Sequence, residues 1–176
     1  MSDRAPDYFL NEGPLTPGDA AVALLVLDDG RYLMQLRDEK PGIFFPGHWG
    51  LFGGGVEPGE GAEAALRREL REELGYDAPT MVWFTTMTLD FTALGGGPVE
   101  RHFFETPLAA AQIERLILGE GRAMRAFEGP DLLARERVTP YDAFALWMHL
   151  TRASHERARR SVESNEEVRR LQEFPR

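Results

Sequence analysis

Glu69, Glu72 and Glu73 stand at i, i+3 and i+4, a spacing that brings all three carboxylates to one side of a helix. Like charges so placed destabilise an isolated helix by roughly 0.2–0.5 kcal/mol per pair. Glu72 and Glu73 also precede Gly75, a helix-stopping residue, where the helix dipole disfavours anions. Two local rules are broken at one place, which is the mark of a functional site. A hard divalent cation such as Mg²⁺ or Mn²⁺ prefers carboxylate oxygen and would relieve both costs. At about 100° per residue, Leu66, Leu70 and Leu74 form an apolar stripe flanked by the three glutamates and by small Ala62 and Ala65. Arg67, Arg68 and Arg71 fall largely on the far side. The alternative is a solvated acidic face paired to those arginines. Against it stands the turn that feeds the helix, running from Gly53 through Gly54, Gly55, Val56, Glu57 and Pro58 to Gly59, whose glycines let the backbone come close to a ligand.

The same stretch resembles the signature of the Nudix (MutT-like) hydrolases, G-x5-E-x7-R-E-U-x-E-E-x-G-U, with U a bulky apolar residue. Gly54 matches the first glycine and Glu60 the first glutamate; Arg68, Glu69, Leu70, Glu72, Glu73 and Gly75 fill the other fixed positions. Tyr76 departs from it, an aromatic where an aliphatic is usual, which bears on packing rather than chemistry. The resemblance implies that Glu69, Glu72 and Glu73 ligate Mg²⁺ or Mn²⁺, with Glu57 and the Gly53 carbonyl as further candidates, and that Arg68 orients a glutamate of the signature. Glu60 has a structural reading, as an acid in the first helical turn. The resemblance also implies water attack at phosphorus in a phosphoanhydride, which requires charge neutralisation on the oxygens and an oriented water.

The signature does not locate a general base. Glu105, Glu120 and Glu128 are candidates, and Glu120, in the turn Leu118-Gly119-Glu120-Gly121, is preferred. Substrate selection falls to residues outside the signature. Arg37 ends an early strand and is placed to reach a phosphate. Phe44, Phe45, His48 and Trp49 cluster ahead of the glycines, where an aromatic can stack on a base. His48 has no second histidine nearby, which argues against zinc.

Ala20 to Leu27 is a buried-strand candidate, Asp28-Asp29-Gly30 a hairpin turn, and Arg31 to Arg37 the pairing strand. Asp38 to His48 is loop-like, and Trp49 to Phe52 is a short strand leading into the glycines. Met81 to Thr92 and Val99 to Thr106 are expected strands, with another strand or bulged segment between Ile113 and Phe127. Thr139 and Pro140 are the N-cap and N1 of a second long helix, with Phe144, Leu146, Trp147 and Leu150 as apolar positions. Strands on both sides of a central helix, with a late second helix, imply a mixed sheet between helices. The family resemblance sharpens this to the Nudix α/β/α sandwich with a mixed central sheet, over residues 16–153. An N-terminal arm is expected over 1–15 and a charged tail, helical in character, over 154–176.

The chain of 176 residues suits one domain. With 43% hydrophobic residues it has no long apolar run and no basic-then-apolar N-terminus, so neither a membrane partner nor a signal peptide is expected. The absence of cysteine removes thiolate chemistry and fits a cytoplasmic location. A formal charge of −9 argues against stable nucleic-acid binding, and the family resemblance implies a small-molecule nucleotide as the partner. A second copy of the chain is a candidate partner, as a homodimer. The leading function is metal-dependent hydrolysis of a nucleoside triphosphate, or of a nucleoside diphosphate linked to another moiety. Two alternatives from the same family are a nucleotide-sugar glycosyl hydrolase and a non-catalytic nucleotide sensor. The first has an altered signature and the second eroded glutamates, whereas this signature is intact.

Overall fold

The computed structural model describes residues 17–40 and 42–152. The arm expected over 1–15 and the tail expected over 154–176 lie outside the described residues. The organising element is β1, Ala20–Leu27, whose sequence AAVALLVL is apolar at every position. That continuous run suits a strand buried on both faces. Ala21, Ala23, Leu25 and Leu27 point into one core with Leu66, Leu70 and Leu74. Val22 and Leu24 point into a second core with Leu132, Ala145 and Leu146.

The expected hairpin forms, as β2 (Tyr32–Leu36) pairs antiparallel with β1. Past the loop come β3 (Trp49–Gly50) and β4 (Phe52–Gly55). After helix α1 (Ala62–Leu74) follow β5 (Val82–Asp90), β6 (Pro98–Leu108) and β7 (Ala123–Phe127). Helix α2 spans Gly129–Arg135, and α3 begins at Pro140 and runs through 152, the last described residue. The described strands form one mixed sheet in the order β3-β2-β1-β6-β5, with β4 on β1 and β7 on β2. Only β1 and β6 run parallel among the paired strands; the other pairs are antiparallel. Helix α1 covers one face, and α2 and α3 cover the other, giving the α/β sandwich.

Three expectations need correction. The strand expected over Trp49 to Phe52 is two strands broken at Leu51, whose N–H donates to Asp142 Oδ2 at 3.0 Å instead of to a neighbouring strand. Gly53, Gly54 and Gly55 belong to β4 rather than to a loop, in register with Val22, Ala21 and Ala20. The strand expected between Ile113 and Phe127 is β7, and a 3₁₀ turn over Ala110–Arg115 precedes it. On α3, Leu146 is buried, but Phe144 and Trp147 are about half exposed and stack on each other at 5.8 Å. Helix α2 carries no apolar periodicity long enough to announce itself: seven residues make fewer than two turns.

Candidate active site

Helix α1 ends as its sequence requires. Gly75 adopts the left-handed conformation at φ 61°, and the N–H groups of Gly75 and Tyr76 donate to the carbonyls of Arg71 and Leu70. The leucine stripe docks on β1, so the glutamates beside it meet the strand that pairs with β1 at that end, which is β4. Glycine makes this approach possible. A Cβ on Gly54 would stand 2.5–2.6 Å from the Glu69 carboxyl group. The Gly53 N–H donates to Glu73 Oε2 at 2.8 Å.

The three carboxylates occupy different environments. Glu73 is buried, at 6% exposure, and burial pushes its pKa up to about 8. The negative charges of Glu69 and Glu120 push the same way, while the Gly53 N–H opposes them. Glu69 is mostly covered and accepts from Arg68 Nη1 at 2.6 Å. Glu72 is largely exposed, with its nearest cation, Arg68 Nη1, at 3.6 Å. Arg68 also donates to Glu60 and to the Gly55 carbonyl at 2.9 Å, fastening the β4–α1 connection to the helix. Its hydrogen bonds to Glu60, then to Glu69, hold Arg68 even more firmly protonated than usual. Arg68 therefore lies on the carboxylate side of α1, not on the far side with Arg67 and Arg71. Glu60 precedes the N-cap, Gly61, rather than sitting in the first turn, and Arg68, followed by the Glu57 N–H, holds it below the usual carboxylate range. The Glu57 side chain is exposed.

Glu120 is brought to the cluster by its backbone. The N–H groups of Ile117 and Gly119 donate to the Leu74 and Glu73 carbonyls, so the turn is fixed to the end of α1. A Cβ on Gly119 would lie 2.5 Å from the Glu72 carbonyl oxygen. Gln35, only 4% exposed, donates to the Glu120 carbonyl at 2.9 Å and reaches Glu73 Oε1 at 3.4 Å. The sequence reading missed Gln35. Its one signal is an amide at an inward position of β2, where an apolar residue is expected. Gln35→Leu should lower kcat about tenfold while leaving KM within about twofold, as loss of a supporting hydrogen bond does. An unchanged kcat in the folded variant would remove Gln35 from this role. Glu105 and Glu128 are elsewhere: Glu105 pairs with Arg152 and His149 beneath α3, and Glu128 occupies the N-cap position of α2 without a side-chain capping bond.

Arg37 comes directly after β2, and its N–H donates to the His48 carbonyl at 2.9 Å. Its Nε donates to the Phe44 carbonyl at 2.8 Å, and its side chain lies against Gly50. Beyond it opens a cavity of about 460 Å³ walled by Phe44, Phe45, Met87, Phe91, Tyr141 and Phe144. Phe45 holds a positive φ of 51° there. His48 is buried, its Nδ1 at 2.9 Å from the Pro46 carbonyl and its ring edge-on to Phe45. The structure places Trp49 outside this cavity, against Phe127 with its Nε1 donating to Glu136.

Among the described residues no three acidic or histidine side chains converge closely enough, as they stand, to hold a metal ion. The donor chemistry nevertheless fits a hard divalent cation. Glu73 is a buried carboxylate without a cation partner among its described contacts, Glu69 lies close enough to raise its pKa, and Glu72 is exposed on the same side of the helix.

A family model described as the NUDIX domain matches residues 16–144. A relative named Nucleoside triphosphatase NudI, from Escherichia coli O1:K1 / APEC, is 57% identical over 54 residues, which is 31% of this chain and 38% of that protein. The match thus spans well under half of the curated relative's length. The crystal structure of the MutT NUDIX hydrolase from Burkholderia pseudomallei is similar at a TM-score of 0.61 and 26% identity, covering 74% of this chain and 96% of that one. The MutT protein from Methanosarcina mazei Go1 shares the fold at a TM-score of 0.64 and 20% identity, over 80% of this chain and 96% of its own.

Proposed function

The chain belongs to the Nudix family, and from that premise we propose that it hydrolyses a phosphoanhydride bond in a nucleoside triphosphate, or in a nucleoside diphosphate linked to another moiety, with Mg²⁺ or Mn²⁺. The observation that carries this reading is the seating of the α1 carboxylates on a glycine strand, with Glu73 buried against the Gly53 N–H.

Glu69, Glu72 and Glu73 would hold the ion. When bound, it neutralises phosphate oxygens and acidifies water. Arg68 keeps Glu69 oriented and its charge fixed. Glu120, tied by its backbone to the end of α1, is the base that takes the proton from the attacking water. Water oxygen bonds to phosphorus, the bridging P–O bond breaks, and its electron pair leaves with the departing phosphate or diphosphate. Arg37 meets the phosphate chain between the carboxylates and the aromatic cavity. The cavity takes the nucleoside ring by stacking, with Phe45 among its walls.

A panel of nucleotides assayed with Mg²⁺ and with Mn²⁺ tests the reading. At least one should be hydrolysed, activity should vanish on chelation, and either metal should restore it. In ¹⁸O-water the label should appear in a phosphate product. Full turnover without metal would overturn the mechanism, and label confined to a released sugar would point to the glycosyl hydrolase alternative. Tight binding with no turnover of any nucleotide would favour a sensor.

A further inference from the structure

Asp142 sits in the first turn of α3, away from the three glutamates, and its side chain is only 1% exposed. Its two oxygens serve different elements. Oδ2 accepts the Leu51 N–H at 3.0 Å, at the break between β3 and β4. Oδ1 accepts Arg101 Nε and Nη2 at 3.2 and 3.1 Å. The Arg101 guanidinium lies over the Tyr141 ring at 4.2 Å, and the Phe45 ring meets Tyr141 edge-on at 5.6 Å. Both rings wall the aromatic cavity. Leu51 is two residues before Gly53, whose N–H holds Glu73. One buried carboxylate thus touches the cavity wall through Arg101 and the strand leading to Glu73 through Leu51.

Such a buried pair needs a reason beyond stability. Apolar residues of similar volume often stabilise a core as well or better, whereas a paired carboxylate fixes geometry through directional bonds at both ends. We propose that Asp142 and Arg101 are positioning residues that lock the ring-binding cavity to the β4 backbone, so that occupation of the cavity and the placement of Glu73 are coupled. The proposal rests on the hydrolase reading above for its kinetic consequence, but the coupling itself can be measured without turnover.

The protein labelled with ¹⁵N-glycine is titrated with each of the four ribonucleoside 5′-monophosphates in the presence of EDTA. At saturation the Gly53 amide resonance should shift in the wild type and stay in place in Asp142→Asn and in Arg101→Lys. In the metal-loaded enzyme each variant should raise KM and lower kcat about tenfold, and the double variant should be little worse than either single, as expected for residues acting as one unit. A wild-type Gly53 resonance unmoved by any monophosphate would overturn the coupling. Folded variants with a lowered Tm but wild-type kcat and KM would reduce the pair to a structural role, as would additive effects. If the variants do not fold, the wild-type titration decides alone. If the wild type hydrolyses no nucleotide, the functional reading fails while the Gly53 shift still tests the coupling.

Discussion

Glu73→Gln should lower kcat/KM at least about 10³-fold while making the metal-free protein more stable at pH 8, two effects with one cause. Gln keeps the shape and an oxygen for the Gly53 N–H but removes the charge that would ligate a cation. A lost metal ligand or charge-stabilising group costs several kcal/mol of transition-state stabilisation. The stability gain follows from the raised pKa of about 8, against an ordinary 4.5, caused first by burial and then by Glu69 and Glu120. A group whose folded pKa is raised favours folding most when protonated. The wild-type contribution is therefore fully present below pH 4.5 and is lost as pH rises towards 8. Gln mimics the protonated form at every pH, so its advantage should be near zero at pH 4.5 and grow to on the order of 4 kcal/mol at pH 8. For a chain of this size that raises Tm by roughly 8–16 °C. Adding Mg²⁺ or Mn²⁺ should stabilise the wild type and not the variant, narrowing the gap. Thermal melts across this pH range with and without EDTA, alongside turnover, check both halves. Equal melting points at pH 8 would contradict the burial argument, and wild-type turnover in a folded variant would remove Glu73 from the chemistry.

Gly53→Ala should abolish the folded protein. A Cβ there would stand 2.2 Å from the Ala21 carbonyl oxygen and 2.8 Å from Val22 Cα, both backbone atoms of the central strand. The φ of 121° is itself a conformation that L-residues rarely adopt. No side chain can turn aside to make room, so β4 must detach from β1, at a cost above about 5 kcal/mol, the lower end of the stability of a whole domain. Gly59→Ala is the contrast. Its φ is also positive, at 83°, but nothing lies within 4 Å of the added carbon, so it should cost only about 1–2 kcal/mol. Circular dichroism and melting of the two purified variants distinguish them. A folded Gly53→Ala protein melting within a few degrees of wild type would show that β4 accommodates the methyl group.

Local periodicity and local stop signals determined much of this molecule. The apolar run Ala20–Leu27, followed by a turn at Asp28-Asp29-Gly30, marks a strand covered on both faces, and it is the centre of the sheet. Helix α1 follows its leucine stripe and stops at Gly75, because a glycine can turn left-handed where other residues resist. The three glutamates had to share one side of α1, since i, i+3 and i+4 spacing permits nothing else. These properties depend on residues within a few positions of each other.

Tertiary structure decided what each side chain meets. Glu72 and Glu73 are neighbours in sequence and alike in chemistry, yet one is exposed and the other buried, because the pairing of β4 with β1 brings Gly53 to one of them only. Arg68 joins the carboxylates because Glu60 and the Gly55 carbonyl receive it there. Gln35, Asp142 and Arg101 acquire their partners from strands and helices up to 91 residues away in sequence, so no local pattern gives those partners. Trp49 and Phe45 read alike as aromatics in one loop region, but β3 pairing turns Trp49 onto Phe127, while Phe45 joins the cavity wall. Spacing along a chain sets which face of an element a side chain occupies. What covers that face is set by long-range strand register, and burial, pKa and hydrogen-bond partners follow from the cover.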